Sequence, residues 1–221
     1  MSIGVRPDGV FFAARANGDV ELFKLPAFDA LDRVHFPQAI HRLAYVDAER
    51  AVVIESRNST LRLLDALGRS IAQVALDYQA LDLRTFGGDV YVLSRGGNST
   101  FVYDGQLRLK SEIHLEAKEI EQQTSCNFIQ PVKDAIFISC EEALLKFAMD
   151  GKFVAKTDVW AVRRGLAEIH AFDEQTLRFK RRYKVEDEAG VAIWTNIGKT
   201  GNLVYALDYV ANEIKLFEIV D

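Results

Sequence analysis

Long apolar runs are missing from this 221-residue chain, and without them no transmembrane helix is expected. Continuous hydrophobic stretches such as Ala51-Val52-Val53-Ile54 last only a few residues. Cysteine is almost absent. Cys126 and Cys140 make neither a disulfide framework nor a zinc-ligand pattern. The histidines at 35, 41, 114 and 170 have no ligand spacing. There is no Gly-x-Ser-x-Gly elbow, no His-Glu-x-x-His, no glycine-rich phosphate loop and no calcium-loop pattern. Positive charge is not in excess either. The formal net charge of −5 argues against a broad nucleic-acid surface, which needs clustered Lys and Arg to displace phosphate counterions. The opening Met1–Arg6 carries no apolar stretch of the secretory kind, so the expected compartment is cytosol or nucleus.

What is present is a rhythm. A short apolar strand is followed, across a polar or glycine turn, by a second strand. Such first strands begin at 10, 51, 90, 135 and 203, so the first gaps are 41, 39 and 45 residues. Hairpin units repeating near forty residues predict an all-β propeller. The second repeat shows the four-strand unit most clearly. His41–Asp47 alternates, Ala51–Ile54 is continuously apolar, Thr60–Asp65 follows, and Ser70–Leu76 closes it. Alternation suits a strand with one solvated face, and a continuous run suits one covered on both.

The turns agree. Asn17-Gly18 provides the positive-φ positions of a tight hairpin. Asp104-Gly105 and Asp150-Gly151 recur between third and fourth strands, and Asn58-Ser59-Thr60 and Asn98-Ser99-Thr100 at the entry to third strands. These Asn-x-Thr triplets match the glycosylation acceptor pattern, but their shared place favours a turn role. From Ala135 to Leu203 is 68 residues, too long for one repeat. Val159–Arg163, Leu166–Phe172 and Thr176–Arg181 are read as three strands of an extra repeat, with Arg182–Glu188 as its outer strand or a loop. Six blades are therefore favoured over five, in a single domain spanning 1–221. Glu116–Gln123 reads as a loop with one helical turn. The last repeat is expected to lack its outer strand. Residues Met1–Asp8 either pair onto that last sheet or leave its edge open, and Pro7 weakens them as an inner strand.

Asn58-Ser59-Thr60-Leu61-Arg62-Leu63-Leu64-Asp65, Asn17-Gly18-Asp19-Val20-Glu21-Leu22-Phe23 and Asn212-Glu213-Ile214-Lys215-Leu216-Phe217 resemble the third-strand segment of WD-type repeats. The Gly-His and Trp-Asp signatures of that family are absent, so its hydrogen-bond network is carried over to no position here. The resemblance implies a divergent propeller that serves as a docking platform; related propellers either close the ring with N-terminal residues or leave an open edge that a partner's strand completes.

Two sets of residues are singled out. Trp160 and Trp194 stand near repeat boundaries, and Arg163 and Arg164 lie beside the first, which suits a protein-recognition rim. Packing between blades is the competing account for both tryptophans. Arg42, Asp82, Asn127, Gln130 and Asn196 fall on innermost strands. Asp and Asn from several blades could converge on calcium there, as in propeller lactonases and hydrolases. The favoured function is a non-catalytic scaffold that docks a protein partner on loops, on the propeller face or on an open strand edge. A calcium-dependent hydrolase is the alternative. The favoured reading needs no cofactor and no metal. The run Arg178–Lys184 reads as a solvated edge strand rather than a nucleic-acid contact. Hairpin register sets Cys126 and Cys140 opposite or one place apart, within reach of a bond, although two small buried thiols kept reduced is the plainer reading.

Overall fold

The computed structural model describes residues 2–55, 59–95, 98–115, 126–140, 143–158, 168–173, 175–184, 194–200, 202–208 and 213–218. The chain divides into two compact units, Met1–Val154 and Ala155–Asp221. Every regular element among the described residues is a strand.

The first unit builds four sheets of four strands, each in simple sequence order. The first sheet is β1 (Ser2–Val5), β2 (Phe11–Ala14), β3 (Asp19–Lys24) and β4 (Asp29–His35). The second is β5 (Ile40–Tyr45), β6 (Ala51–Glu55), β7 (Thr60–Leu64) and β8 (Ser70–Ala75). The third is β9 (Ala80–Phe86), β10 (Asp89–Ser94), β11 (Ser99–Tyr103) and β12 (Leu109–His114). The fourth is β13 (Cys126–Val132), β14 (Ala135–Cys140), β15 (Ala143–Phe147) and β16 (Phe153–Asp158), whose last residues cross into the second unit.

Continuous apolar runs form the second strands because each face meets a different neighbour. On β6, Ala51 and Val53 enter a core shared with the first sheet, while Val52 and Ile54 enter one shared with the third. On β10, Val90 and Val92 face the second sheet, and Tyr91 and Leu93 face the fourth. Outer strands have no such pair of faces and are polar; β4 and β8 are mostly exposed. Their edges are bent by bulges. Leu31, Ile71 and Lys110 are the extra residues where β4, β8 and β12 slip against their partners. A bulge near the start of an outer strand discourages edge-to-edge association.

The third-to-fourth-strand turn is one device with different fillings. Asp65 N–H donates to Arg69 O and Gly68 N–H to Asp65 O, and Asp104, Leu107 and Arg108 repeat the pattern. The Asp65 and Asp104 carboxylates also accept the backbone N–H groups of Arg69 and Arg108, which holds both carboxyls below their usual range. A residue one or two places before the outer strand is left-handed each time: Phe28 (φ 62°), Gly68 (76°), Leu107 (63°) and Gly151 (87°). Volume separates Gly68 from Leu107, whereas at Gly151 a Cβ would collide with the His114 backbone carbonyl oxygen. A Cβ on Gly68 would lie 2.5 Å from the Phe36 ring. At the next boundary the residue equivalent to Phe36 is the smaller Leu76, and Leu107, buried in the same core, fills the space.

Three expectations change here. Residues Ser2–Val5 do not pair onto a last sheet; they pair with β2, Ser2 opposite Ala14. Pro7 falls in the following turn, where its missing N–H costs the ladder nothing. Cys126 lies directly opposite Cys140 and the two are bonded as a disulfide rather than kept as thiols.

The second unit holds a two-stranded sheet, β17 (Glu168–Phe172) and β18 (Phe179–Lys184), and a three-stranded one, β19 (Trp194–Thr200), β20 (Leu203–Asp208) and β21 (Glu213–Glu218). The turn between β17 and β18 repeats the device. Asp173 N–H donates to Arg178 O, Leu177 N–H to Asp173 O, and Leu177 is left-handed (φ 55°). These are therefore a third and an outer strand, not the second and third expected. Thr176 belongs to the turn, and Arg182–Lys184 continues β18. The expected strand Val159–Arg163 and the helical turn in Glu116–Gln123 lie outside the described residues. Among the described residues there are six sheets and the last has three strands, a count consistent with the five or six blades expected.

Candidate functional site: an inner-edge arginine–aspartate cluster

The strands β1, β5, β9 and β13 each end their sheet, so each has one edge that no strand pairs among the described residues. Unpaired backbone groups are costly when shielded from water. Side chains from neighbouring inner strands meet them. Ser2 Oγ donates to Leu43 O at 3.1 Å and accepts from Leu43 N–H at 3.3 Å. Thr85 Oγ1 donates to Tyr45 O at 2.8 Å. Asp82 Oδ2 accepts from Ile129 N–H at 3.0 Å.

Asp82 is the hub. It is fully buried. Its Oδ1 receives Arg42 Nε at 3.2 Å and Arg84 Nη1 at 3.3 Å. One side chain thus ties β5, β9 and β13 together. The arginines are anchored by their own strands as well, Arg42 Nη1 on His41 O at 3.1 Å and Arg84 Nη1 on Leu83 O at 2.9 Å. The Arg42 guanidinium stands 5.9 Å from the Phe128 ring centre, within cation–π range. Beside it, burial and then the Arg42 charge push the His41 pKa down.

Arg42 and Asp82 are brought together. Asn127 lies half-buried on β13, and Gln130 on the same strand is exposed and donates to Pro131 O at 3.1 Å. Asn196 lies on β19 in the second unit, and its side chain is outside the described residues. Trp194 begins β19 opposite Asp208. Trp160, Arg163 and Arg164 lie outside the described residues. Arg84 and the Ile129 amide were missed. Alternation held the signal for Arg84, since Asp82-Leu83-Arg84 puts both polar side chains on one face of β9 around fully buried Leu83. Among the described residues no group of three His, Cys, Asp or Glu could hold a metal. Both Asp82 oxygens already accept strong donors, so this carboxylate offers calcium little.

His35 and His114 occupy equivalent last positions of outer strands. His35 Nδ1 meets Asp19 Oδ1 at 2.9 Å and His114 Nδ1 meets Ser99 Oγ at 3.1 Å. Both side chains are largely exposed and bonded to a residue of the neighbouring third strand.

Repeated sheets with inner strands laced together and cores between successive faces define the class: the chain is a β-propeller. More particularly, its repeated four-stranded sheets are consistent with a divergent propeller that lacks the Gly-His and Trp-Asp signatures of WD-type repeats. No family model matches the chain, and no curated sequence does. It is similar in fold to several solved structures. The propeller domain of Cps50 (Swd1) from Myceliophteria thermophila gives a TM-score of 0.66 at 12% identity, over 98% of this chain and 81% of that one. Hsv2 from Kluyveromyces lactis gives 0.63 at 10%, over 100% and 73%. BamB from Moraxella catarrhalis gives 0.56 at 13%, over 98% and 84%. At these identities the likeness concerns the fold.

Proposed function

We propose that this propeller is a non-catalytic docking scaffold that receives an extended segment of a protein partner on the outer edge of β21. The observation that supports the reading is the sixth sheet. Each sheet of the first unit has a fourth, outer strand, whereas among the described residues β21 has none beyond it. Third strands elsewhere are buried at alternate positions, Leu61 and Leu63 for example, while Ile214, Leu216 and Phe217 on β21 are only half-buried. An unpaired edge offers a row of N–H and C=O groups to an incoming strand. The rim residues Trp160, Arg163, Arg164 and Trp194 are proposed as further anchors. Cytosol or nucleus remains the proposed compartment from the opening residues, and the Cys126–Cys140 bond is of a kind more common in oxidising compartments.

Affinity capture from source cells, followed by hydrogen exchange on the purified complex, tests this. The expected result is a protein partner whose binding slows exchange at 213–218. Capture with unchanged exchange in that strand would remove the edge from the proposal.

A further inference from the structure

We propose that Arg42 and Arg84 form a binding site for a phosphate group, free or esterified, on the inner edge where β5 meets β9. Three observations carry it. The first is charge. Two guanidinium groups share one carboxylate oxygen of Asp82, which leaves a surplus of one positive charge. Their side chains are only 17% and 22% exposed, so water compensates that surplus poorly. The second is donor supply. The cluster's hydrogen bonds use Nε and Nη1 of Arg42 and Nη1 of Arg84. Nη2 of Arg42 and both Nε and Nη2 of Arg84 have no partner among the described residues. None of these three is among the fully buried unpartnered atoms, which belong to Gln38, His41 and Thr100. They therefore reach solvent and can meet a ligand. The third is rigidity. Each arginine is fixed both to Asp82 and to a backbone carbonyl of its own strand, His41 O or Leu83 O. Donors held in place lose little entropy on binding.

The class of ligand follows from shape. A carboxylate presents two oxygens in one plane and satisfies one guanidinium fork. A phosphate presents three or four oxygens in a tetrahedron and can accept from two forks at once. The Phe128 ring beside Arg42 gives the site one apolar wall, suited to the carbon part of a phosphomonoester. The inference does not depend on the β21 edge, and either can fail alone.

The test is a ³¹P NMR titration of the full chain with inorganic phosphate, and separately with a simple alkyl phosphomonoester, at fixed ionic strength. Thermal unfolding is read in parallel, with acetate and chloride as controls. Saturable binding is expected, with a rise in Tm that acetate does not reproduce. Tighter binding of the monoester would assign the esterified source, and equal or tighter binding of inorganic phosphate the free one. Arg84→Gln should weaken binding about tenfold, the scale of one lost charge-assisted fork. Arg84→Lys keeps the charge without the fork and should weaken it several-fold; if the Gln variant does not fold, this variant decides. Non-saturable shifts, equal stabilisation by acetate, or wild-type affinity in the folded variant would overturn the proposal.

Discussion

At the scale of single residues, the buried Asp82 side chain joins strands of three different sheets. Its two oxygens serve two arginines and the Ile129 amide. Asp82→Ala would strand two partly buried cations and a backbone N–H, with an expected loss of about 3–5 kcal/mol in chemical denaturation. Asp82→Leu should be no better tolerated, since the arginines would remain uncompensated. Asp19 makes a different, exposed cluster. His35, Arg33 and Asn17 donate to its carboxylate, and these hydrogen bonds hold its pKa down at about 2. The folded pKa lies below the unfolded value. The cluster therefore stabilises the fold above about pH 4 and loses that contribution as pH falls towards 2. Asp19→Asn should flatten this part of the acid limb in a Tm-against-pH series and leave the neutral region nearly unchanged in slope.

Elements are joined by turns whose fillings are matched to their neighbours. Gly18 is required by close approach, since a Cβ there would collide with the Phe36 carbonyl oxygen. Gly68 is required by the Phe36 ring. Gly68→Ala should cost about 1–3 kcal/mol through overpacking and left-handed strain. Adding Phe36→Leu, which copies the Leu76 and Leu107 arrangement, should recover part of it, and a double-mutant cycle by urea denaturation measures the coupling. Leu107→Gly should fail in the opposite sense. Relief of about 1 kcal/mol of left-handed strain is outweighed by about 2–5 kcal/mol of lost burial.

For the whole molecule, stability rests on cores shared between successive sheets, so no sheet of the first unit can shed its neighbours cheaply. The disulfide adds a local brace. It closes a loop of separation 14 across the β13–β14 hairpin, and chain-entropy arguments put such a loop near ~3 kcal/mol. Reduction with a thiol reagent should lower Tm by several degrees, and the Cys126→Ala, Cys140→Ala double variant should match the reduced protein and ignore the reagent. An unchanged Tm on complete reduction would show that the hairpin needs no brace. Hydrogen exchange supplies a second molecule-scale check. Amides of β6 and β10, covered on both faces, should outlast those of β4 and β8, which stand at sheet edges.

Strand rhythm and turn positions were legible in the sequence because each depends on near neighbours along the chain. Alternation, continuous apolar runs and Asp-Gly turns record which faces are covered. The left-handed Leu107 and Leu177 were not legible, because leucine carries no signal for positive φ; the packing around it imposes that conformation. Placement of β17 and β18 as third and outer strands likewise needed the turn hydrogen bonds. Arg42 and Asp82 were picked out separately, from strand position alone. Their meeting with each other, with Arg84 and with the Ile129 amide joins residues far apart in the chain. Only the stacking of successive sheets decides which inner strand's side chain reaches which neighbour's free edge. The sequence determined the repeating unit, and the tertiary structure decided its contacts, because local preference acts over a few residues while inter-sheet bonds require the whole stack to be built first.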